Sequence, residues 1–391
     1  MRILLISFYF EPDLSAGSFR NTALFKELLS RMGKEDFIHV ITTQPNRYDS
    51  YKLESKDEEK GENYIIKRIR IPKHKSGMVD QAKSYITFFR EAIKLTENEN
   101  YDLVYTSSSR LFSSFLGRRI SAKKNIPLYL DIRDIFVDSI KDIFGTKKII
   151  QIPVVLFARC VENYSFKNAK HINLVSEGFR DYFRKYKNPT FSFYTNGIDD
   201  VFINLEQKDI DNNPEKIIIT YAGNIGSGQG LEKIIPQAAK KLGNKYLFRV
   251  IGDGGTKGIL EDKIKELGVD NIEILKPVKR DELIKYYQKS HYLFLHLNDL
   301  EAFKKVLPSK LFEYGAFNKP IIAGVAGYAA EFVSNNLTNY ILFNPTDVDD
   351  FVNQLNNFEI KYEYRNEFIS KYSRLNITKQ LADSIINISV N

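Results

Sequence analysis

Hydrophobic positions in this chain fall into short continuous runs that alternate with stretches of helical spacing. In the first half the runs predict strands over 2–9, 37–43, 102–106, 127–131 and 171–175. Helices are predicted over 18–31, 80–97, about 110–124, about 150–168 and 177–185. A polar, Asp/Asn-rich stretch at 206–215 breaks the rhythm and reads as a linker. The pattern then restarts, with strands over 216–222, 246–251, 272–275, 291–296 and 321–323 and helices over 230–241, 256–267, 280–288 and 309–317. Such alternation predicts an α/β chain with parallel sheets covered by helices on both faces. Two Rossmann-like, doubly wound domains are expected, over 1–205 and 206–364, with a last helix over about 365–391 packing back on the first.

Composition is compatible with this. A chain of 391 residues, 43% hydrophobic and 27% charged, is long enough for two ordinary globular domains. The single cysteine, Cys160, excludes a disulfide framework within the chain and suits a reducing compartment. The apolar run at Met1–Ser7 is too short for a signal peptide and lacks its cleavage pattern. No run approaches the ~20 residues that span a bilayer. A cytoplasmic location is expected, soluble or on the inner face of the cytoplasmic membrane.

The net charge of +8 is uneven: residues 61–94 hold eight Lys/Arg against three acidic residues, interleaved with Tyr64, Tyr85, Phe88 and Phe89. Such a segment either attracts phosphate-rich partners, anionic lipid or nucleic acid, or is an ordinary solvated face. No nucleic-acid motif accompanies it, so nucleic acid is not an expected partner. Histidines and the cysteine lack metal-ligand spacing, so no metal is expected. Neither a Walker lysine nor a Gly-x-Ser-x-Gly motif is present, which disfavours P-loop NTPases and serine hydrolases.

The candidate chemistry follows the strands. The loop at 10–20 carries Gly17, Ser18 and Arg20 into a helix. Tyr221–Gly230 contains Gly223, Asn224, Gly226, Ser227, Gln229 and Gly230, whose freed backbone can cradle phosphate. Gly252 and Asp253 open a third loop, which departs from a dinucleotide fingerprint. Asp131, Arg133 and Asp134 end a strand, where they could bind sugar hydroxyls or an acceptor, or brace the loop among themselves. Ser176 and Asn196 also follow strands and could line a cleft, although turn chemistry explains Asn196-Gly197 equally.

The most informative segment is Leu307–Ile322. Pro308 suits a first helical turn, and Ser309, Lys310 and Glu313 follow it, the last two on one face. That cation and carboxylate could hold the phosphates and ribose of a nucleotide, or could form a surface ion pair.

Taken together, Ser-Ala-Gly-Ser at 15–18, Asp-Ile-Arg-Asp at 131–134, Val-Ser-Glu-Gly at 175–178, Asn-Gly-Ile-Asp at 196–199, Ala-Gly-Asn-Ile-Gly at 222–226, Ile-Gly-Asp-Gly at 251–254 and Pro-Ser-Lys-Leu-Phe-Glu-Tyr at 308–314 resemble the GT-B glycosyltransferases of family 4. The resemblance is greatest to the bacterial O-antigen, capsule and colanic-acid branch that includes N-acetyl-L-fucosaminyl transferases. It implies two Rossmann-like domains facing a central cleft, acceptor in the first and nucleotide in the second. It also implies a retaining, metal-independent, cofactor-free transfer from a UDP-sugar, such as UDP-N-acetylfucosamine, to a polyprenyl-diphosphate-linked saccharide. By position, Glu313 would bind ribose, Lys310 and the 224–230 loop the diphosphate, and Lys276, Pro277 and Val278 the base. The 61–94 segment would then dock on the inner-leaflet surface. Two departures stand out: Lys305 occupies the place of the first Glu of a Glu-x7-Glu motif, and Asn224 and Gln229 lie near the places of the usual donor-loop basic residues.

Overall fold

The computed structural model describes residues 1–46, 55–72, 78–108, 111–138, 140, 148–203, 205 and 214–390. Most of the expected 206–215 linker, and Lys73 and Lys75 of the basic segment, lie outside the described residues. The chain divides into two compact units, Met1–Asn196 with Leu375–Asn391, and Gly197–Arg374.

The first unit is built on eight strands: β1 (Arg2–Ser7), β2 (Phe37–Thr43), β3 (Glu58–Lys60), β4 (Tyr64–Ile69), β5 (Leu103–Ser108), β6 (Leu128–Ile132), β7 (His171–Leu174) and β8 (Thr190–Ser192). Their order is β3-β4-β2-β1-β5-β6-β7-β8, parallel except for the β3–β4 pair. β1 is central and wholly apolar from Ile3 to Ile6, as a strand covered on both faces must be. Leu381, Ala382 and Ile385 of the last helix, Arg374–Val390, complete the core around Ile3, Leu5 and Leu24.

The second unit has six parallel strands: β9 (Ile217–Asn224), β10 (Tyr246–Asp253), β11 (Ile272–Leu275), β12 (Tyr292–His296), β13 (Ile321–Gly324) and β14 (Tyr340–Phe343). They are ordered β11-β10-β9-β12-β13-β14, the doubly wound order, which reverses between β9 and β12. Two apolar layers cover the sheet, one around Ile219, Phe248 and Phe294, the other around Leu293, Phe312 and Tyr314.

The unit boundary differs from the one read from linker composition. It falls at Asn196/Gly197 and Arg374/Leu375 because the second unit closes on its own ends. Ile198 N–H donates to the Tyr372 carbonyl (2.7 Å) and Arg374 N–H to the Ile198 carbonyl (2.8 Å). Asp199 forms ion pairs with Arg374 (Oδ1 to Nε, 2.7 Å) and with Arg280. The expected single C-terminal helix is accordingly two, Asn366–Lys371 in the second unit and Arg374–Val390.

Segment 61–94 also differs from its reading as one basic surface. Tyr64–Ile69 is an inner strand paired with β2, and Arg68 is buried because Glu59 and the carbonyls of Glu11 and Lys56 take its guanidinium. Arg70 pairs with Asp57 (2.8 Å), and Tyr85 and Phe88 are core residues. The signature helix is shorter than expected, Lys310–Gly315. Its exit is held by Arg365, only 5% exposed, which donates to the carbonyls of Phe317, Lys319, Thr338 and Asn339. Burial pulls the Arg365 guanidinium down to about 10.

Two outcomes follow. Arg365→Met should destabilise the second unit by about 3 kcal/mol, since it orphans four carbonyls at once; an unchanged urea midpoint would refute the clamp. Burial holds His39, His171 and His296 down to about 4. An unfolded histidine titrates near 6.5, so the unfolded chain takes up protons first as pH falls. Stability contributed by these neutral rings is therefore complete above about pH 7 and is lost between about 6.5 and 4, at up to about 1.4 kcal/mol per pH unit for each. Denaturation midpoints at pH 7.5, 6 and 5 should fall in that order.

Candidate functional site

In a doubly wound sheet the loops part where the strand order reverses, leaving a crevice beyond the carboxyl ends of the flanking strands. In the second unit those strands are β9 and β12. β9 ends in Gly223-Asn224 and runs into the glycine loop before the helix Leu231–Leu242. The loop is held from β12. Asn298 N–H donates to the Gly228 carbonyl (2.8 Å), and its side-chain amide donates to the Ser227 carbonyl (3.0 Å). The Asn298 carbonyl oxygen takes Lys233 Nζ at 2.9 Å. His296 accepts the Thr346 N–H on Nε2 (2.9 Å), which leaves the proton on Nδ1 to donate to the Gln229 carbonyl (2.5 Å).

The other flank is backbone against backbone. A Cβ on Gly252 would lie 1.8 Å from the Gly223 carbonyl oxygen, so only glycine lets β10 press this close to β9 at their ends. Asp253 Oδ1 accepts from Gly254 N–H (2.9 Å) and Ile225 N–H donates to the Asp253 carbonyl (2.9 Å). Asp253 thus shapes the loop. Asn224 and Gln229 bond to each other (2.8 Å), and Tyr221 OH donates to the Asn224 carbonyl (2.6 Å).

The signature helix meets this edge. Lys310 lies against Gly223, whose added Cβ would fall 2.5 Å from Lys310 Cε. Its ammonium sits 5.9 Å from the ring centres of both Tyr221 and Tyr314, within cation–π reach. Glu313 Oε2 is 3.9 Å from Lys310 Nζ, an ion-pair distance too long for a hydrogen bond. The two side chains are 22% and 15% exposed, so both are sheltered yet reachable. Gly223, Asn224, Gly226, Ser227, Gln229, Gly252, Asp253, Lys310 and Glu313 are therefore one neighbourhood. Ser309 precedes the helix without a side-chain cap. Pro277 and Val278 follow β11, two strands from β9 and hence roughly 10 Å along the sheet. Val278 packs partly into the core.

In the first unit the expected residues divide. Asp131 is fully buried, and its carboxylate takes Arg20 in a bidentate pair (2.8 and 2.9 Å) and the Asn173 amide (2.7 Å). Burial alone would push this carboxyl up, but the Arg20 guanidinium outweighs it and holds it below the usual range. Arg20 goes on to the carbonyls of Tyr194 and Thr195, at 2.8 and 2.6 Å. Asp131 and Arg20 thus take the bracing arrangement and offer nothing to a substrate. Asn173, which sequence reasoning passed over beside Ser176, is the hub: its carbonyl oxygen also accepts Tyr194 N–H at 2.7 Å.

Arg133 is different. Its guanidinium lies on Gly17, where a Cβ would come 2.0 Å from Nη1, and its Nε is buried without a partner. Burial lowers its pKa, partly offset by Asp131 and Asp134. Ser15 caps the helix Ala16–Ser30 by accepting from Ser18 N–H (3.1 Å), and the Ser18 hydroxyl is buried and unpartnered. Asp134 is exposed, whereas Ser176 and Asn196 are buried.

Residues sequence reasoning missed, Asn298 and His296, belong to no motif. Their one signal is position, directly after the strand at which the sheet order reverses. Among the described residues, no group of three or more His, Cys, Asp or Glu could hold a metal ion.

Comparison with known proteins adds the following. Residues 202–374 match the family described as glycosyl transferases group 1. Over 105 residues the chain is 34% identical to WcaI of Escherichia coli (strain K12), named as a colanic acid biosynthesis glycosyl transferase. That match covers 27% of this chain and 25% of WcaI, so the chain spans about a quarter of that relative's length. Among solved structures, Anabaena Alr3699/HepE in complex with UDP and glucose superposes with a TM-score of 0.70 at 14% identity, covering 98% of this chain and 99% of that one. The lipopolysaccharide outer core galactosyltransferase WaaB gives 0.63 at 14%, covering 99% of each chain. A glycosyltransferase from Rickettsia africae ESF-5 gives 0.63 at 16%, covering 100% and 98%. The chain therefore has the GT-B fold, and its residues 202–374 are similar to the glycosyl transferases group 1 family.

Proposed function

We propose that this protein is a retaining, metal-independent glycosyltransferase that moves a sugar from a UDP-sugar to a lipid-diphosphate-linked saccharide, in the synthesis of a bacterial surface polysaccharide. The observation that carries this reading is the Lys310–Glu313 pair beside Gly223, at the reversal of strand order and inside the region matching the family. The names of the similar proteins support the finer parts: HepE holds UDP and glucose, and WcaI is named for colanic acid biosynthesis.

The chemistry follows from what the two side chains can do. A ribose offers two hydroxyl donors, and the Glu313 carboxylate offers two acceptor oxygens. The diphosphate is the neighbouring part of the donor, and Lys310 is the neighbouring side chain. When the bond from the sugar to the diphosphate breaks, negative charge grows on the leaving phosphate. A cation already fixed at that place stabilises it without reorganisation. Asn224 and Gln229 spend a hydrogen bond on each other and carry no charge, so Lys310 bears more of this role. In the first unit, Arg133 with Gly17 and Ser18 offers positive charge to an acceptor.

Lys310→Ala should lower turnover by about 100- to 1,000-fold, the usual effect of removing one group that stabilises transition-state charge. Glu313→Ala should weaken UDP binding by about 10- to 100-fold, as loss of hydrogen bonds to a charged group does. Calorimetry with UDP, and sugar-release assays across UDP-, GDP- and dTDP-sugars, measure both. If wild type and variants are equally inert on every donor while UDP still binds, the protein is a non-catalytic sugar-nucleotide-binding module.

A further inference from the structure

The helix Lys148–Phe166 presents apolar side chains to water. Ile149 is 91% exposed, Ile152 and Leu156 55%, and Phe157 58%. With Pro153 and Cys160, also exposed, they fall within an arc about 140° wide at 100° per residue. Lys148 and Arg159, both exposed, border one edge of that arc. Neighbouring helices of the same unit pack against this one through half-buried and buried rings. Phe157 meets Phe112 of the helix Leu111–Lys124 (6.3 Å between rings), and Phe112 meets Tyr85 of the helix Met78–Thr96 (5.4 Å). Next to Tyr85, Ile86 is 50% exposed.

Charge says what would cover this face. The three helices carry nine Lys/Arg and three acidic residues, of which Glu162 is buried; Lys123 is paired with Glu97 just beyond them, while Lys148 and Arg159 border the apolar arc itself. A second copy docking on the same face would set cations against cations. An anionic lipid surface satisfies both features, taking the apolar strip into the boundary between headgroups and acyl chains and the cations onto the headgroups.

We propose that these three helices dock the protein on an anionic bilayer, led by Ile149, Ile152, Leu156 and Phe157. This places the membrane contact on helices where the sequence had suggested the whole of 61–94. It rests on the lipid-linked-acceptor reading for its purpose, although vesicle binding is measured without any transfer.

The test is co-sedimentation of the full chain with vesicles of phosphatidylcholine alone and of phosphatidylcholine mixed equally with phosphatidylglycerol. Wild type should favour the mixed vesicles, and salt should weaken its binding. The double variant Leu156→Ser/Phe157→Ser should bind them about tenfold or more weakly, while keeping wild-type circular dichroism and UDP affinity. Ile149→Ser, at a side chain almost wholly in water, should weaken binding without any effect on folding. Lys148→Glu/Arg159→Glu should lose the preference for anionic lipid. Equal sedimentation of wild type and all variants overturns the proposal. So does a wild-type dimer that the serine variants turn into monomers, which assigns the face to a second copy. Loss of UDP binding with vesicle binding intact strikes only the glycosyltransferase reading.

Discussion

A parallel sheet can open a crevice between neighbouring loops only where its strand order reverses, and that constraint organises the second unit. β9 and β12 lie side by side, yet the chain leaves them toward opposite sides. The glycine loop after β9 and the Asn298 loop after β12 are therefore the segments that must face each other. The tight contact of Gly252 on Gly223 and the neutral His296 bridge are consequences, since each fixes backbone at this edge. Lys310 reaches the same edge because the signature helix is pinned at its far side by Arg365.

Sheltered charge is used in two ways. In the first, Arg20 and Asp131 satisfy each other and the carbonyls around them, which makes them costly to break and chemically inert. In the second, Lys310 and Glu313 stand a little too far apart to hydrogen-bond, so their capacity is not spent on each other. Arg133 resembles the second case although it lies in the first unit, with an unpartnered Nε against Gly17. A spacing of charges in sequence cannot tell these cases apart, because the difference is less than 1.5 Å of side-chain placement.

Much of the architecture was legible. Strand 272–275 and helix 280–288 stand where hydrophobic periodicity put them, as β11 and Arg280–Gln288. Strands that carry charge escaped: Tyr64–Ile69 holds Lys67 and Arg68, and Glu59 with the carbonyls of Glu11 and Lys56 makes Arg68 tolerable inside. The helices Tyr328–Asn336 and Val348–Asn356 and the strand Tyr340–Phe343 were also passed over. The domain boundary was misplaced because composition marks a linker, whereas the clamp of Ile198, Asp199 and Arg374 joins residues about 175 apart in sequence.

By itself the sequence determined the α/β class, the two-domain plan, the glycine loops and the Lys310–Glu313 spacing. These depend on local periodicity and on residue types that serve few other purposes. Only the tertiary structure decided which charges are braces and which are available, because that depends on partners brought from distant strands. It also decided that the helix Lys148–Phe166 leaves its apolar arc uncovered. An apolar stripe reads the same in sequence whether a neighbouring element covers it or water does.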